Sequence, residues 1–530
     1  MSGRSMRQRI AAVAVLFAVL FSALALRVVQ LTTVQADGLK RRADRQHHRK
    51  LPLTATRGSI QDRNGEALAL SRDSASVYVR PNEFDAGGDA IRRVAHVLDV
   101  PADVVRQRAT ADAPFVWLQR QASLDQVNAL QELKLRGIGS EPTRQRVYPH
   151  GRLAGHVLGF TNVDGQGLEG IERAFDAELR GGVQALVVGH DAWGGQFDLG
   201  QGGALPPTGA HIELTLDLAL QRVAEEELER AVEKFRARAG TLVALDPDTG
   251  EVLAMANVPR FDPNHARGVP ADHYRNRAVT DVYEPGSTFK AFLAAAAIEE
   301  RVTTPDERIG CENGRYAVGR RTIRDAHPHG VLSFADVIAQ SSNIGCAKIA
   351  ERLGNERLAR MVRNLGFGAP TGIDLPGEMP GLLRPVEKWG RIHLVTTAFG
   401  QGIAATPLQM TRAFAAIANG GDLMRPYIVK RVTDDAGGVR YAATPYLERR
   451  VRSKQTARTV TEMLVAVTER GTGKQAQLEG FRVAGKTGTA QKVDPGSGRY
   501  HPRDRMSSFV GYVPADDPKL VILVVIDTPR

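Results

Sequence analysis

The hydrophobic pattern changes character along the chain. From Ile10 to Leu26, 17 residues pass without a charge, interrupted in polarity only by Ser22. This run is at the lower limit for a membrane span, and it extends through Val28, Val29 and Leu31 with Arg27 snorkelling. Arg4, Arg7 and Arg9 precede it, which predicts a cytoplasmic start of about nine residues and an exported remainder. Ala23-Leu24-Ala25 fits a signal-cleavage site, but the run is longer than a usual signal core, so an uncleaved anchor is expected. No later apolar run is long enough to span, and a single-pass topology follows.

Residues 51–75 read as a hairpin, with Asn64-Gly65 at its centre. Gly167-Leu168-Glu169-Gly170-Ile171-Glu172 opens an amphipathic helix. The span from Gly194 to Gly209 holds Pro206-Pro207 and little hydrophobic pattern, and reads as a linker or exposed loop and a candidate domain boundary. After it the pattern sharpens. Leu214 to Asp217 leads into a helix from Leu218 to about Ala237. Thr241–Asp246 and Glu251–Ala256 read as strands joined by Pro247-Asp248-Thr249-Gly250. Ala291 to Ile298 is helix-forming and apolar on all sides, so that helix is expected to be buried. Pro285-Gly286 breaks the structure before it, and Ser287 is a candidate N-cap. Val483 to Ala490 alternates strand-like residues with glycine, as an edge strand does where a ligand backbone approaches closely. Helix, hairpin and helix in this order imply helices packed on an antiparallel sheet.

Composition narrows the class. The chain has 530 residues, enough for about three or four domains, with 42% hydrophobic and 24% charged residues. Its net charge is +11. The basic residues are scattered, apart from a cluster between Lys40-Arg41-Arg42 and Arg49-Lys50, and no nucleic-acid recognition motif appears. An anionic membrane or polymer accounts for the charge better than nucleic acid. Cys311 and Cys346 are the only cysteines, which excludes a cysteine-based zinc site and leaves a disulfide or two buried thiols open. His150 and His156 have no third ligand in view and read as turn or core histidines. No metal or cofactor is expected.

The chemistry concentrates in three short motifs. Ser287-Thr288-Phe289-Lys290 is the only Ser-x-x-Lys in the chain. On a helix, positions three apart share a face, so Ser287 and Lys290 lie side by side at the positive end of the dipole. That arrangement suits a serine nucleophile with a lysine base. One or two such pairs arise by chance in a chain this long, so the motif needs partners. They follow in order: Ser341-Ser342-Asn343, then Lys486-Thr487-Gly488-Thr489. This ordered set is shared by penicillin-binding proteins and class A β-lactamases.

On these motifs the chain resembles the class B penicillin-binding proteins over nearly its whole length, most closely the division-septum (FtsI-like) type. The resemblance also rests on the hairpin from Arg57 to Gly65, and on Gly400-Gln401-Gly402 followed by Thr406-Pro407. Elongation-type relatives usually carry Asp where Asn343 stands, which favours division. The implied fold is α+β: an N-terminal transmembrane helix, a mixed pedestal domain, and a transpeptidase domain with an antiparallel sheet flanked by helices. The expected boundaries are 1–35 for the cytoplasmic tip and anchor, 36–208 for the non-catalytic pedestal (dimerisation-like) domain and 209–530 for the transpeptidase domain.

The resemblance implies a D,D-transpeptidase in the bacterial inner membrane, its catalytic domain in the periplasm, acting on stem peptides ending in D-Ala-D-Ala. Ser287 is the implied nucleophile, Lys290 the base and Ser341 a proton relay. Asn343 holds the substrate amide. Lys486, Thr487 and Thr489 receive the terminal carboxylate, and Gly488 belongs to the same substrate-binding strand. Backbone N–H groups of Ser287 and Thr489 form the oxyanion hole. The implied partners are an amine acceptor, β-lactams, and a polytopic glycosyltransferase with other division proteins. A silent scaffold or β-lactam sensor is the alternative. A β-lactamase needs a carboxylate to drive water onto the acyl-enzyme; Glu351 is nearby in sequence but is expected to point elsewhere, because it shares a helix with Asn343. The chain ends just after an expected strand, Leu520 to Ile526. Relatives usually continue with a helix packed on the sheet, so a truncated or short member with an uncovered apolar sheet face is expected.

Overall fold

The computed structural model describes residues 3–37, 48–190, 196–198 and 208–530, apart from 494, 495 and 497. Two compact units emerge. One comprises residues 1–55 and 181–207. It contains the helix Gly3–Val29 and a short π-helical continuation, Gln30–Val34. Within these, Met6–Val34 is long and apolar enough to cross a membrane, and its large apolar side chains are exposed. The same unit holds a three-stranded antiparallel sheet of His48–Thr54, Val183–His190 and Gln196–Asp198. Arg49 and Lys50, from the basic cluster, lie in its first strand. Gln196–Asp198 is a strand inside the span expected to be a linker. The Lys40–Arg42 run, Gly194, Gly195 and residues 199–207 lie outside the described residues.

The second unit comprises residues 56–180 and 208–530 and contains two large sheets. In the first sheet, Ile60–Gln61 pairs antiparallel with Ala67–Val79 and parallel with His211–Leu214. The expected hairpin is present, but its turn is longer than two residues. Asp62 Oδ1 accepts the N–H groups of Asn64 (2.8 Å) and Glu66 (2.9 Å), and of Asn64 and Gly65 only the glycine adopts positive φ, 87°. The helix expected from Gly167 is split into Gly170–Ala174 and Asp176–Arg180. Glu172 is fully buried there. It accepts Arg57 Nε and Arg146 Nε, each at 2.6 Å, and the Tyr148 hydroxyl at 3.2 Å. Two guanidiniums on one carboxylate satisfy a charge that is costly to bury alone.

The second sheet is antiparallel, in the order Val252–Val258, Ala239–Leu245, Leu520–Asp527, Tyr500–Val513, Ala484–Val493. The strands expected around residues 241–256 are its first pair, and the Lys486 segment is an edge strand, as its glycine alternation predicts. Leu218–Lys234, capped by Asp217, packs Ala224, Leu228 and Val232 against Ala244, Ala254, Ala256 and Ile526. On that face Leu520, Ile522 and Val524 are half-buried. The other face meets Lys290–Glu299, Pro407–Ala418 and Lys454–Glu469. Lys290–Glu299 is buried on all sides, which explains why its sequence shows no polar stripe. Phe289, Phe292 and Phe414 stack around its start, with ring centroids 5.2 and 5.1 Å apart along that chain. Each such phenylalanine contributes roughly 2–3 kcal/mol of burial, so the Lys290–Glu299 helix is anchored by packing and not by its own propensity.

Candidate active site

Ser287 lies in a 3₁₀ turn, Gly286–Phe289, that runs directly into the Lys290–Glu299 helix. This corrects its assignment as the N-cap. Pro285 holds that position and no side chain caps the turn, while the Thr288 hydroxyl donates to Pro285 O at 2.8 Å. The half-buried Ser287 side chain is thereby released from capping. Close backbone packing holds the turn. Gly286 has φ of 57° and donates its N–H to Gly400 O at 3.0 Å. A Cβ on Gly400 would lie 2.2 Å from Gly286 O, and one on Gly286 would lie 2.9 Å from Thr489 O. Gly286, Gly400 and the Lys486 strand therefore meet without room for side chains.

Lys290 is fully buried. Its Nζ donates to Ser341 O at 2.6 Å, Ser341 Oγ at 3.1 Å and Asn343 Oδ1 at 2.7 Å. Lys486, also fully buried, reaches the same Ser341 Oγ at 3.0 Å and Thr487 O at 3.1 Å. The Thr487 hydroxyl pairs with that of Thr472 at 2.7 Å. The fold thus brings Lys290 and Lys486 onto the Ser341 hydroxyl, with Asn343 bonded to Lys290, Thr487 bonded to Lys486, and the Ser287 turn against the strand at Thr489. Thr489 is exposed, whereas Gly488 is buried and has room for no Cβ, Ser508 Oγ standing 2.6 Å from where one would be.

Burial pushes both lysines below the ordinary lysine range, and Lys290 pushes Lys486 down further. Two ammoniums sharing one buried hydroxyl repel each other, so the pair titrates as a unit. A serine one turn from a buried lysine that holds its proton less tightly than an ordinary lysine, with a second lysine on an edge strand, is equipped for acyl transfer to and from carboxylate-terminated peptides.

Three further residues support the site without having been assigned a role from the sequence. Asp325 Oδ1 accepts the backbone N–H groups of Asn343 (2.6 Å) and Ile344 (3.0 Å), and Asp325 Oδ2 accepts the Ser342 hydroxyl at 2.6 Å. It anchors the Asn343–Leu353 helix, whose N-cap is Ser342. Ser341 just before that cap has φ of 60°, a strained conformation outside glycine. Glu284 takes the Gly402 N–H at 2.8 Å and the Tyr500 hydroxyl at 2.9 Å, tying the Ser287 turn to two distant segments. Thr472 is the third, through its bond to Thr487. Glu284 stands three residues before Ser287, whereas Asp325 and Thr472 come from segments outside the motifs they support, and only folding brings these contacts together.

Glu351 is turned away from this cluster, accepting Arg391 Nε at 2.7 Å and the Tyr316 hydroxyl at 2.8 Å. Cys311 and Cys346 are both free and buried, which settles the open alternative in favour of thiols. His156 is a core residue, its Nε2 hydrogen-bonded to His273 O at 2.9 Å and its pKa lowered to about 4 by burial.

Comparison with known proteins accords with this geometry. Residues 240–530 match the penicillin-binding protein transpeptidase domain, and residues 52–198 match the penicillin-binding protein dimerisation domain. The chain belongs to the class B penicillin-binding proteins. Among similar class B proteins, the probable peptidoglycan D,D-transpeptidase PenA of Neisseria meningitidis is 37% identical over 527 residues, covering 98% of this chain and 88% of that one. The peptidoglycan D,D-transpeptidase FtsI of Escherichia coli K12 is 34% identical over 513 residues, covering 95% and 84%. Penicillin-binding protein 3 of Mycobacterium tuberculosis, solved in complex with aztreonam, superimposes with a TM-score of 0.71 at 32% identity, covering 90% of this chain and 91% of that one. This penicillin-binding protein is accordingly a peptidoglycan D,D-transpeptidase by family, with an N-terminal helix long enough to span a membrane.

Proposed function

We propose that this chain cross-links peptidoglycan stem peptides at the division septum through an acyl-enzyme on Ser287. The Ser341 hydroxyl shared by Lys290 and Lys486 is the observation that carries the reading. A donor peptide brings its terminal carboxylate to Lys486, Thr487 and Thr489. That negative charge draws the proton of the lysine pair to Lys486 and leaves Lys290 neutral. Lys290 then takes the Ser287 proton as Ser287 Oγ bonds to the penultimate D-alanine carbonyl. The oxyanion is met by the N–H groups of Ser287 and Thr489. As the carbon–nitrogen bond breaks, Lys290 returns the proton through Ser341 Oγ to the departing D-alanine amine. Asn343 holds the donor amide. An amine of a neighbouring stem peptide attacks the ester, its proton passes back to Ser287, and the cross-link forms.

In this reading residues 1–35 anchor the chain in the bacterial inner membrane, with Arg4, Arg7 and Arg9 on the cytoplasmic side. Residues 36–208 form the pedestal and residues 209–530 the periplasmic transpeptidase. Its partners are a polytopic glycosyltransferase and other division proteins, and it is a β-lactam target.

Intact mass after fluorescent-penicillin labelling of the full chain tests the chemistry. A stable adduct on the parent, absent from Ser287→Ala, is expected. Rapid turnover of the adduct points to a β-lactamase, and no adduct on folded protein points to a silent scaffold or sensor. Depletion in the source cell tests the role. Filaments without septa are expected, whereas loss of rod width moves the role to elongation.

A further inference from the structure

The antiparallel hairpin of Arg315–Val318 and Arg321–Arg324 carries four arginines, Arg315, Arg320, Arg321 and Arg324, all exposed. Arg315 stands directly opposite Arg324 in the register. Like charges in directly opposed positions destabilise a strand pair. A two-stranded ribbon is marginal by itself, so this charge pattern carries a cost unless an anion lies across it. The chain does not supply that anion: among the described residues, no carboxylate stands within ion-pair distance of any of the four arginines. The neighbouring acids are engaged elsewhere. Glu312 is paired with Lys348, Glu351 with Arg391, and Asp325 with the start of the Asn343 helix.

The hairpin also borders the active site. Asn343 Nδ2 donates to Arg324 O at 2.9 Å, so the second strand of the hairpin runs directly past an active-site side chain. Arg321 lies close enough to Tyr500 to oppose the rise of its pKa caused by burial, and Tyr500 donates to Glu284, three residues before Ser287. Arg321 and Arg324 thus lie beside the site, outside the buried cluster that handles the donor, and Arg315 and Arg320 share their hairpin.

We propose that this arginine hairpin binds the carboxylates of the acceptor stem peptide. The inference rests on the transpeptidase reading above and adds the location of the second substrate. In that reaction the donor's terminal carboxylate is claimed by Lys486 and the two threonines. The acceptor reacts through an amine and keeps every carboxylate it brought, so it arrives as an anion bearing a nucleophile. A rim of unpaired guanidiniums recognises such a molecule and orients its amine towards the acyl-enzyme.

The test uses the full chain in detergent, acylated with penicillin so that the donor site is filled. A labelled tetrapeptide with a side-chain amine at its third residue and free carboxylates is titrated in, against the same peptide with its carboxylates amidated. The parent is expected to bind the free acid about tenfold more tightly at low salt, and the preference should shrink as salt is added. Arg320→Gln/Arg321→Gln, two exposed changes that leave the catalytic groups in place, should acylate at the parental rate and lose about five- to tenfold in affinity for the free acid alone. Equal binding of both peptides by the parent, or an undiminished preference in the variant, overturns the proposal. So does a variant that loses binding only to vesicles containing phosphatidylglycerol, because the arginines then serve a lipid surface. Absence of penicillin acylation in the parent rejects the transpeptidase reading instead, and is scored separately from peptide binding.

Discussion

Lys290 and Lys486, one from a buried helix and one from an edge strand, donate to the same oxygen, Ser341 Oγ, at 3.1 and 3.0 Å. Both are fully buried, and among the described residues neither forms an ion pair, although the Asp325 carboxylate opposes the fall of the Lys290 pKa. Their mutual repulsion and their burial act in one direction, towards loss of a proton from the pair.

The pH dependence of acylation follows from this. Serine attack needs neutral Lys290, so the rate at saturating penicillin should rise with pH and level off below the ordinary lysine value of about 10.4. Removing a neighbouring cation raises a lysine pKa. Lys486→Gln should therefore move the rising limb to higher pH, besides weakening ligand binding. Stopped-flow acylation across pH measures it, and an unmoved or acid-shifted limb would contradict the coupling.

Ser341 combines a chemical and a backbone role that two substitutions separate. Ser341→Ala and Ser341→Gly both delete the shared hydroxyl, and each should slow acylation by roughly 10²- to 10³-fold. Only glycine accepts φ of 60° without strain. The glycine variant should be more stable than the alanine variant by about 1 kcal/mol. Thermal melts of the two compared side by side give the answer, and equal midpoints would refute the strain.

Asp325 holds the start of the Asn343 helix through three hydrogen bonds. Asp325→Ala should leave the protein folded but less stable by about 2 kcal/mol. Acylation should slow as well, because Ser341 and Asn343 lose their seat. Asp325→Asn keeps one acceptor oxygen and should recover part of both losses. A parental acylation rate in the alanine variant would show that the helix start is held by other contacts.

Gly400→Ala tests the packing behind Ser287. The added methyl group meets Gly286 O at 2.2 Å, at a residue whose own φ is 77°. The turn bearing Ser287 has to move, at a cost of at least about 2 kcal/mol. Penicillin acylation should fall by tenfold or more with Ser287, Lys290 and Lys486 all present. Unchanged labelling kinetics would mean that the turn tolerates displacement.

Much of this protein was legible before folding was considered. The uncharged run from Ile10, the all-round apolar Lys290–Glu299 helix and the edge strand at Lys486 follow from period and length. These are local properties, set by which neighbours along the chain share a face. The three motifs likewise named their own residues, because Ser-x-x-Lys, Ser-x-Asn and Lys-Thr-Gly each span one turn or one strand. Local reasoning went wrong at Ser287, where a plausible cap proved to be a free hydroxyl in a 3₁₀ turn. The Thr288 hydroxyl bonds Pro285 O, and contacts with Gly400 and the Lys486 strand hold that turn.

Tertiary structure alone decided how the motifs meet. That two lysines 196 positions apart share Ser341 Oγ depends on the edge strand passing the start of the Asn343 helix. That Asp325 seats that helix, that Glu172 pairs with two arginines, and that Cys311 and Cys346 remain unpaired depend on which surfaces are buried against each other. Residue order sets what each segment is able to form. The lowered pKa of Lys290 arises only where burial removes water, its closeness to Lys486 only where two distant segments meet at one oxygen, and no pattern along the chain encodes that proximity.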